Sequence, residues 1–557
     1  MDTRVTVPDL LLGPLLRYAG HTDATVWVET TTACEVEVLL DDASYRSRTF
    51  HIEGHHYGLV HVAGLEPEGA YKYEVLLDGE KKWPEDDSGF PVSVIHTLAR
   101  GGPLKLAFGS CRISAPHEPP YTLSNEENEL GVETDALYAM AMRLQEAPVE
   151  DLPNALVLLG DQVYADEPPF DTIGFIRSRR DTDKPPGEEV ANFEEYARLY
   201  HDSWREPAIR WLLSTVPSAM TFDDHEVTDD WNISEAWVEE ARTHPWWNEQ
   251  ILGAYASYWI YQHLGNLSPR ELAEDGLFEK VKAADDAGPM LREFAYRTHR
   301  EPARTRWSFH RDFGNTRLMM LDSRGGRVLK EDRRSMVDAD EWRWIEEHAT
   351  GGFDHLLLGT SVPVLPGPGS HYLQAWLEAV CAGAWGERAA QWGERIRQSQ
   401  DLEHWGSFHQ SFTKLVGLIR AVGAGEKGRP PASIVVLSGD VHHGYLAEAT
   451  FRDEDVSCPV YQAVCSPFRN YIPKTKWRLE SGGWTKLGKL AGRFLARLVG
   501  IGEEEVSWRL THREPWLENH VAILKLEGRR ARLTFQKAVL NGSGRPALET
   551  IYERRLV

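Results

Sequence analysis

Over residues 1 to about 100, apolar and polar positions alternate in short runs, and that period of two predicts strands. Ala24 to Glu29 (ATVWVE) and Glu35 to Leu39 (EVEVL) show it most clearly, and Asp78-Gly79 supplies the turn pair of a hairpin. From Leu104 the pattern changes. LKLAFG from Leu104, LVLLG from Leu156, HLLLG from His355 and IVVLSG from Ile434 are nearly unbroken apolar runs, each stopped by glycine. Such runs predict strands covered on both faces, as in an α/β sheet. Helical spacing predicts helices over residues 133–145, 193–214 and 338–349, with mostly helical stretches at 234–298 and 371–422. Alternation returns in the tail, 519–556, which would close a sheet. Residues 171–190, rich in charge, proline and glycine, are expected to form a loop over the site.

These patterns divide the chain at Gly101-Gly102-Pro103. Residues 1–100 are expected to form a small β-sandwich, and 101–557 a larger α/β domain with helical inserts near 234–298 and 371–422. Leu65, Pro67, Tyr71 and Tyr73 resemble the late-strand signature of fibronectin type III modules, in which a tyrosine locks a corner of the sandwich. The aromatic stripe of Trp237, Trp246, Trp247, Tyr255, Tyr258, Trp259 and Tyr261 reads as core rather than as a ligand box.

Composition changes the picture in three ways. The formal charge of −24 repels a phosphate backbone, so no nucleic-acid binding is expected. Five cysteines without a CxxC pair argue against a disulfide framework and a zinc ribbon. No apolar run reaches the length of a transmembrane helix, and MDTRVTVPDLLLGPLLRYAG lacks the basic region and apolar core of an export signal. The expectation from the chain as given is a cytoplasmic protein. KLGKLAGRFLARLVG, from Lys486, is a basic amphipathic helix that could touch a membrane surface; a docked surface helix is the reading adopted.

The apolar runs end in chemistry. Leu104 leads to Ser110-Cys111-Arg112, and Leu156 to Gly160-Asp161 with Tyr164 three positions on. Ala219 leads to Asp223-Asp224-His225-Glu226, and Ile434 to Gly439-Asp440 with His442 and His443. The carboxyl ends of α/β strands are where ligands bind. Clustered carboxylates repel one another and need cations. A thiolate and a phenolate together, Cys111 and Tyr164, favour a ferric ion, whereas the oxygen donors suit Ca²⁺ or Mg²⁺. Two ions flanked by histidine and arginine are a phosphoryl-transfer design, in which a histidine protonates the leaving alcohol. Arg112 and Arg324 are the expected bidentate phosphate grips; Arg469 reads as a structural arginine.

The order SCR, GDxxY, DDHE and SGDVH resembles the PhoD-like alkaline phosphatase D family, calcineurin-like and purple-acid-phosphatase-like metallophosphoesterases. Leu321-Asp322-Ser323-Arg324 is similar to that family's LDTR. The resemblance implies a four-layer α/β/β/α catalytic domain behind an N-terminal fibronectin-III/Ig-like sandwich. It implies Fe³⁺ held by Cys111, Asp161, Tyr164 and His442, with Asp161 bridging to Ca²⁺ and Asp440 on the calcium. Asp224 and His225 belong to the motif, and Asp230 stands where the family often has asparagine. Mg²⁺, Mn²⁺ or Zn²⁺ remain open as divalent occupants. The implied activity is hydrolysis of small phosphomonoesters, with some phosphodiesterase activity; family members are often exported. A phosphodiesterase or phospholipase D-like hydrolase stays open, as does a metal-stabilised binding protein without turnover. His225 and Arg112 count against the last, because a purely structural site needs neither.

Overall fold

Alternation along the central strands sorts their side chains into three apolar layers, and this fixes the architecture. The computed structural model describes residues 7–41, 43–452 and 456–557. The first six residues of the stretch read for an export signal lie outside it. One sheet has β12 (Ser218–Met220), β11 (Ala155–Leu158), β10 (Leu104–Gly109), β20 (His520–Glu527), β21 (Arg530–Leu540) and β22 (Pro546–Arg555), in that order. The other runs β13 (Phe309–Phe313), β14 (Thr316–Met320), β15 (His355–Gly359), β16 (Ser433–Ser438), β18 (Val460–Val464), β17 (Tyr445–Phe451) and β19 (Val506–Leu510).

Leu106, Phe108 and Val157 of the first sheet share a core with Leu318, Leu357, Val435 and Leu437 of the second. The alternate residues Ala107, Leu156 and Leu158 face outward, onto α1 (Ala136–Leu144), α3 (Phe193–Trp204) and α4 (Pro207–Thr215). Met319, Leu356, Ile434 and Val436 face the opposite way, onto α10 (Ala339–His348) and α13 (His409–Gly423). The result is the expected α/β/β/α sandwich. β10, β11 and β12 are mutually parallel, as are β14, β15, β16 and β18, so their carboxyl ends gather at one edge.

Helix α2 (Phe170–Arg179) corrects the loop expected at 171–190. Only Thr172 and Ile176 of it are buried, four positions apart, so the sequence carried little apolar period there. The return after it is held by Arg180, which bonds the Gly187 and Glu189 carbonyls and the Glu195 carboxylate. The expected helices at 234–298 form as α5 (Glu235–Ala241), α6 (Trp247–Ser257), α7 (Pro269–Glu274), α8 (Gly276–Ala283) and α9 (Gly288–Arg300). Trp247, Tyr255, Tyr258, Trp259 and Tyr261 are buried there, as core. Between β15 and β16 lie α11 (Pro368–Cys381), α12 (Glu387–Ser399) and then α13, which packs on the sheet through Phe412, Leu415 and Ile419. The expected insert at 371–422 did not separate this crossover helix from its neighbours.

Nine strands, from β1 (Leu10–Ala19) to β9 (Val94–His96), make the N-terminal sandwich, in two sheets around Val26, Val36, Val38 and Val75. The tyrosine corner forms: Tyr71 accepts the Glu66 N–H at 2.8 Å. Tyr73 instead donates to the Ser214 carbonyl at 2.6 Å, across to α4. The main bolt between sandwich and catalytic layers is Glu29 in β2 (Asp23–Thr30). Its buried carboxylate is met by His55 (2.9 Å), by His201 of α3 (2.8 Å) and by the Tyr261 hydroxyl (2.8 Å). Burial alone would raise its pKa; the two histidines outweigh that and bring it from 4.5 to about 2.

Glu29→Gln is expected to lower stability by about 2 kcal/mol, read by urea denaturation, because a buried charge-assisted network loses its acceptor. A depressed carboxylate pKa stabilises above its unfolded value and loses that contribution as the pH falls through the folded one. The difference between wild type and variant should therefore be complete above pH 4.5 and vanish towards about 2.

Candidate metal centre

Tight turns at the strand ends bring the chemistry together. Gly160 has φ +104°, and a Cβ there would stand 2.6 Å from the Asp223 Cβ; one on Gly439 would stand 2.0 Å from the Ser110 Oγ. Only glycine lets these ends approach so closely. Immediately beyond them Cys111 (φ +55°), Asp161 (+51°), Asp440 (+69°) and His442 (+51°) all adopt left-handed backbone. Such conformations cost free energy and cluster at functional sites.

Three overlapping groups of potential ligand atoms result, each within 4.8 Å: Cys111, Asp161 and His442; Asp161, Asp224 and His225; Asp223, Asp224 and Asp440. Asp161 belongs to the first two and Asp224 to the last two. The Cys111 Sγ lies 3.1 Å from Asp161 Oδ2, and the Tyr164 hydroxyl 3.5 Å from the same oxygen. Asn470 donates to the Tyr164 hydroxyl at 2.9 Å. His442 donates its Nδ1–H to the Tyr471 carbonyl at 3.1 Å, which leaves Nε2 with the lone pair. Burial, with the charges of Lys476 and His225, brings its pKa down to about 3, so the ring is neutral as a ligand must be. The Asp230 carboxylate belongs to none of these groups; its backbone N–H donates to Asp224 Oδ2 at 3.0 Å.

These residues fit cations. Among the described residues, Asp161 Oδ1 and Asp223 Oδ2 are buried without a hydrogen-bond donor, and Asp224 Oδ1 has an ion-pair contact with Arg324 at 3.1 Å but no hydrogen bond. Burial pushes the pKa of all three carboxyls up, and outweighs the opposing charges of Arg324 at Asp223 and Asp224 and of His225 at Asp161 and Asp224. Burial, with Asp161 and Asp440, likewise pushes the Cys111 thiol well above its usual range. A cation reverses each of these shifts.

The arginines divide differently from the expectation. Arg324 is fully buried among the carboxylates, bonded to Asp223 and Glu403 and 3.1 Å from both Asp224 Oδ1 and Asp440 Oδ1. It is a countercharge within the cluster. Arg112, read as a phosphate grip, points the other way: its guanidinium is taken by Asp135 (2.8 Å) and the Ser203 carbonyl (2.9 Å). Asp135 caps α1, so Arg112 ties the first strand end to that helix. Arg469 bonds four carbonyls in the 115–133 stretch, a structural role as read.

His225 donates Nδ1–H to both oxygens of Asp166 (3.0 and 2.9 Å), and its ring lies 4.4 Å from that of Tyr164. Burial disfavours its charge, but Asp166 and Asp161 win and raise its pKa well above 6.5. His443 is buried, donates to the Val441 carbonyl, and packs edge-on against Trp477.

Sequence reasoning missed a layer of supporting groups. Glu226 receives the backbone N–H groups of Asp161, Gln162 and Asp223, plus the Gln262 amide from a buried π-helical turn at Tyr258–His263. Glu226 lies inside the DDHE motif and Asp166 two residues beyond Tyr164, which was the available signal. Glu403 and His404 come from the far end of an insert, and Lys476 and Glu480 from α14 (Lys474–Gly483), with no local signal. They line a cleft of about 40 Å³ with Asp224, His225, Asp229, Asp401, Asp440 and His442. Lys476 pairs with Asp401 at 2.6 Å across its mouth.

With this geometry in hand, comparison with known proteins is informative. The family model of PhoD-like phosphatases matches residues 136–350. The motif resemblance is thereby borne out, over a span that holds Asp161, Tyr164, the DDHE segment and Arg324. Residues 7–95 match a domain of unknown function, DUF7800. A solved structure of PhoD is similar over 100% of this chain and 94% of that one, with a TM-score of 0.60 and 12% identity, a likeness of fold. A purple acid phosphatase, PPD1 from yellow lupin (Lupinus luteus), is 10% identical over 98% and 74% of the two chains, with a TM-score of 0.46, too low to carry an argument. A search of curated proteins finds no match.

If the three groups hold cations, chelation should destabilise the wild type. A cation present at a hundred times its Kd contributes about 2.7 kcal/mol. Asp161→Asn is expected to lose most of that chelator-dependent shift, and to be more stable than wild type once both are chelated, since one buried like charge is gone. Thermal unfolding with and without chelator measures both.

Proposed function

We propose that the protein is a metal-dependent phosphoesterase that hydrolyses small phosphomonoesters, with phosphodiesters as second substrates. The observation that carries this reading is the position of Asp161, within ligand reach of both Cys111 with His442 and Asp224 with His225. In this reading Cys111, Asp161, Tyr164 and His442 hold Fe³⁺, and Asp161, Asp224 and Asp440 hold Ca²⁺. Thiol, phenol and imidazole suit the harder-working Lewis acid; oxygens alone suit calcium. Bound there, the cations would neutralise phosphate charge and acidify a water.

The chain's own groups do the rest. Asp166 fixes the His225 tautomer and keeps the ring protonated, so that its Nε2–H is positioned to protonate a leaving alkoxide. Glu226 holds the backbone of Asp161 and Asp223 in place. Lys476, at the mouth, offers a positive charge to an incoming phosphate in an otherwise acidic cleft. A cation-stabilised binding protein would not need the His225–Asp166 pair, and that favours turnover, even though Arg112 no longer argues for it.

The purified protein is expected to hydrolyse p-nitrophenyl phosphate or its bis-ester, and chelation to weaken that turnover. His225→Gln should lower kcat by roughly 10²–10⁴-fold. Absence of hydrolysis from neutral to alkaline pH, with metals bound, would favour the binding protein instead.

Phenolate on Fe³⁺ gives a visible charge-transfer band, which calcium, magnesium and zinc do not. The holoprotein is expected to be coloured and Tyr164→Phe to lose the band while keeping its fold. A colourless, fully active enzyme without iron would remove the iron assignment and leave the phosphoesterase reading.

A further inference from the structure

Helix α15 (Lys486–Leu498) follows α14 almost directly, and its polar and apolar faces are used in an unusual way. Its small residues face inward. A Cβ on Gly492 would meet the Gly369 carbonyl oxygen at 2.7 Å, and one on Gly369 would meet the Gly488 backbone at 2.7 Å. Backbone therefore lies on backbone where α15 crosses the start of α11. Ala496 is buried in the same seam, and Leu495 and Val499 pack against the cluster of Trp376, Leu377 and Val380. With docking satisfied in this way, the large apolar residues are left outside. Leu487 is 78% exposed, Leu490 64%, Phe494 62% and Leu498 51%. Their spacing of three and four residues puts all four in one stripe.

The surroundings of that stripe say what it faces. Lys486, Lys489, Arg493 and Arg497 lie on the same helix, which contains no carboxylate, in a chain whose formal charge is −24. Beyond the helix Glu503 is shared by Arg452, Arg493 and Arg497, so three guanidinium groups meet one carboxylate there. Trp385 and Trp392, 45% and 51% exposed, stand on the same cluster through Trp376. Half-exposed tryptophans suit a boundary between water and hydrocarbon. A second copy of the chain would bring these cations against their own kind.

We propose that this face docks on an anionic lipid bilayer, with Leu487, Leu490, Phe494 and Leu498 entering the headgroup boundary and the lysines and arginines meeting lipid phosphates. The geometry is that of an interfacial helix lying in the membrane plane, and the remaining negative charge of the chain makes the orientation specific. Because α14 carries Lys476 and α15 carries the stripe, one hairpin joins the docked face to the metal cleft. The proposal does not depend on the phosphoesterase reading.

The test is flotation of the full chain with vesicles of phosphatidylcholine mixed with phosphatidylglycerol, and with phosphatidylcholine alone. The wild type should float with the anionic vesicles, less at high salt, and poorly with the neutral ones. Leu490→Glu combined with Phe494→Glu should reduce anionic binding by about tenfold or more with an unchanged melting temperature, because both side chains are exposed. Lys486→Glu with Lys489→Glu should remove the preference for anionic lipid. A wild type that floats with neither vesicle, or variants that float as well as wild type, would overturn the proposal. So would a dimer, seen by sedimentation without lipid, that Phe494→Glu dissociates, since the stripe would then belong to a second copy.

Discussion

The constraint on which the rest depends is the repulsion within one buried set of carboxylates. Asp161, Asp223, Asp224 and Asp440 lie together at the sheet edges with Glu403 beside them, and Arg324 is the guanidinium set among them. At an effective dielectric near 20, two like charges about 4 Å apart repel by about 4 kcal/mol. Arg327 also reaches Glu403 at 3.2 Å and His404 reaches Asp440 at 3.3 Å, so much of the compensating charge gathers on Glu403 and Asp440. Arg324 spends its donors on Asp223, Glu403 and Asp440; among the described residues Asp161 Oδ1 and Asp223 Oδ2 find no hydrogen-bond donor, and Asp224 Oδ1 has only its ion-pair contact with Arg324. Such an arrangement is costly unless something outside the chain completes it, and the donor set would suit a cation.

Holding the carboxylates there also demands backbone that the chain would otherwise avoid. Cys111, Asp161, Asp440 and His442 all sit at positive φ just after strands in which all residues but Lys105 are buried. The strands cannot relax because their apolar residues are locked into the inner and outer layers on both faces. Glu226 supplies the complementary restraint from below, accepting the N–H groups of Asp161, Gln162 and Asp223. The rigidity of the sandwich and the strain of the site are two sides of one design: the layers fix the strand ends, and the ends fix the ligand atoms.

Much of this was legible in the sequence, for a physical reason. Strands buried on both faces write unbroken apolar runs, and the ligands follow those runs directly, so fold and centre share one signal. The tyrosine corner was legible likewise, because Tyr71 acts on a residue five positions away. What was hidden is whatever depends on distant chain. Arg112 looked like a phosphate grip because it follows a ligand; the turn at Cys111 sends the side chain towards Asp135, which adjacency could not reveal. Glu403, His404 and Lys476 reach the cleft from elements with no motif of their own. Helix α2 was read as loop because a surface helix that buries two residues barely writes a period.

The polar interior outside the cluster follows another logic, and the contrast bears on the site. Glu29 is as buried as Asp161, but its carboxylate is met by two histidines and a tyrosine, and its pKa falls to about 2. Asp166 is met by His225 and by the Asp229 N–H, and its pKa falls as well. At Glu29 and Asp166 the fold provides enough donors and histidine charge to favour the carboxylate. Asp161, Asp223 and Asp224 are buried without enough donors, and their pKa values rise. The same chain thus satisfies acids in one place and leaves them wanting in another a few residues away. Insufficient packing does not explain that difference, since Glu29 is as buried as Asp161, Asp223 and Asp224. At the strand ends the deficit falls on members of the three groups that share Asp161 and Asp224, where a bound cation would remove it.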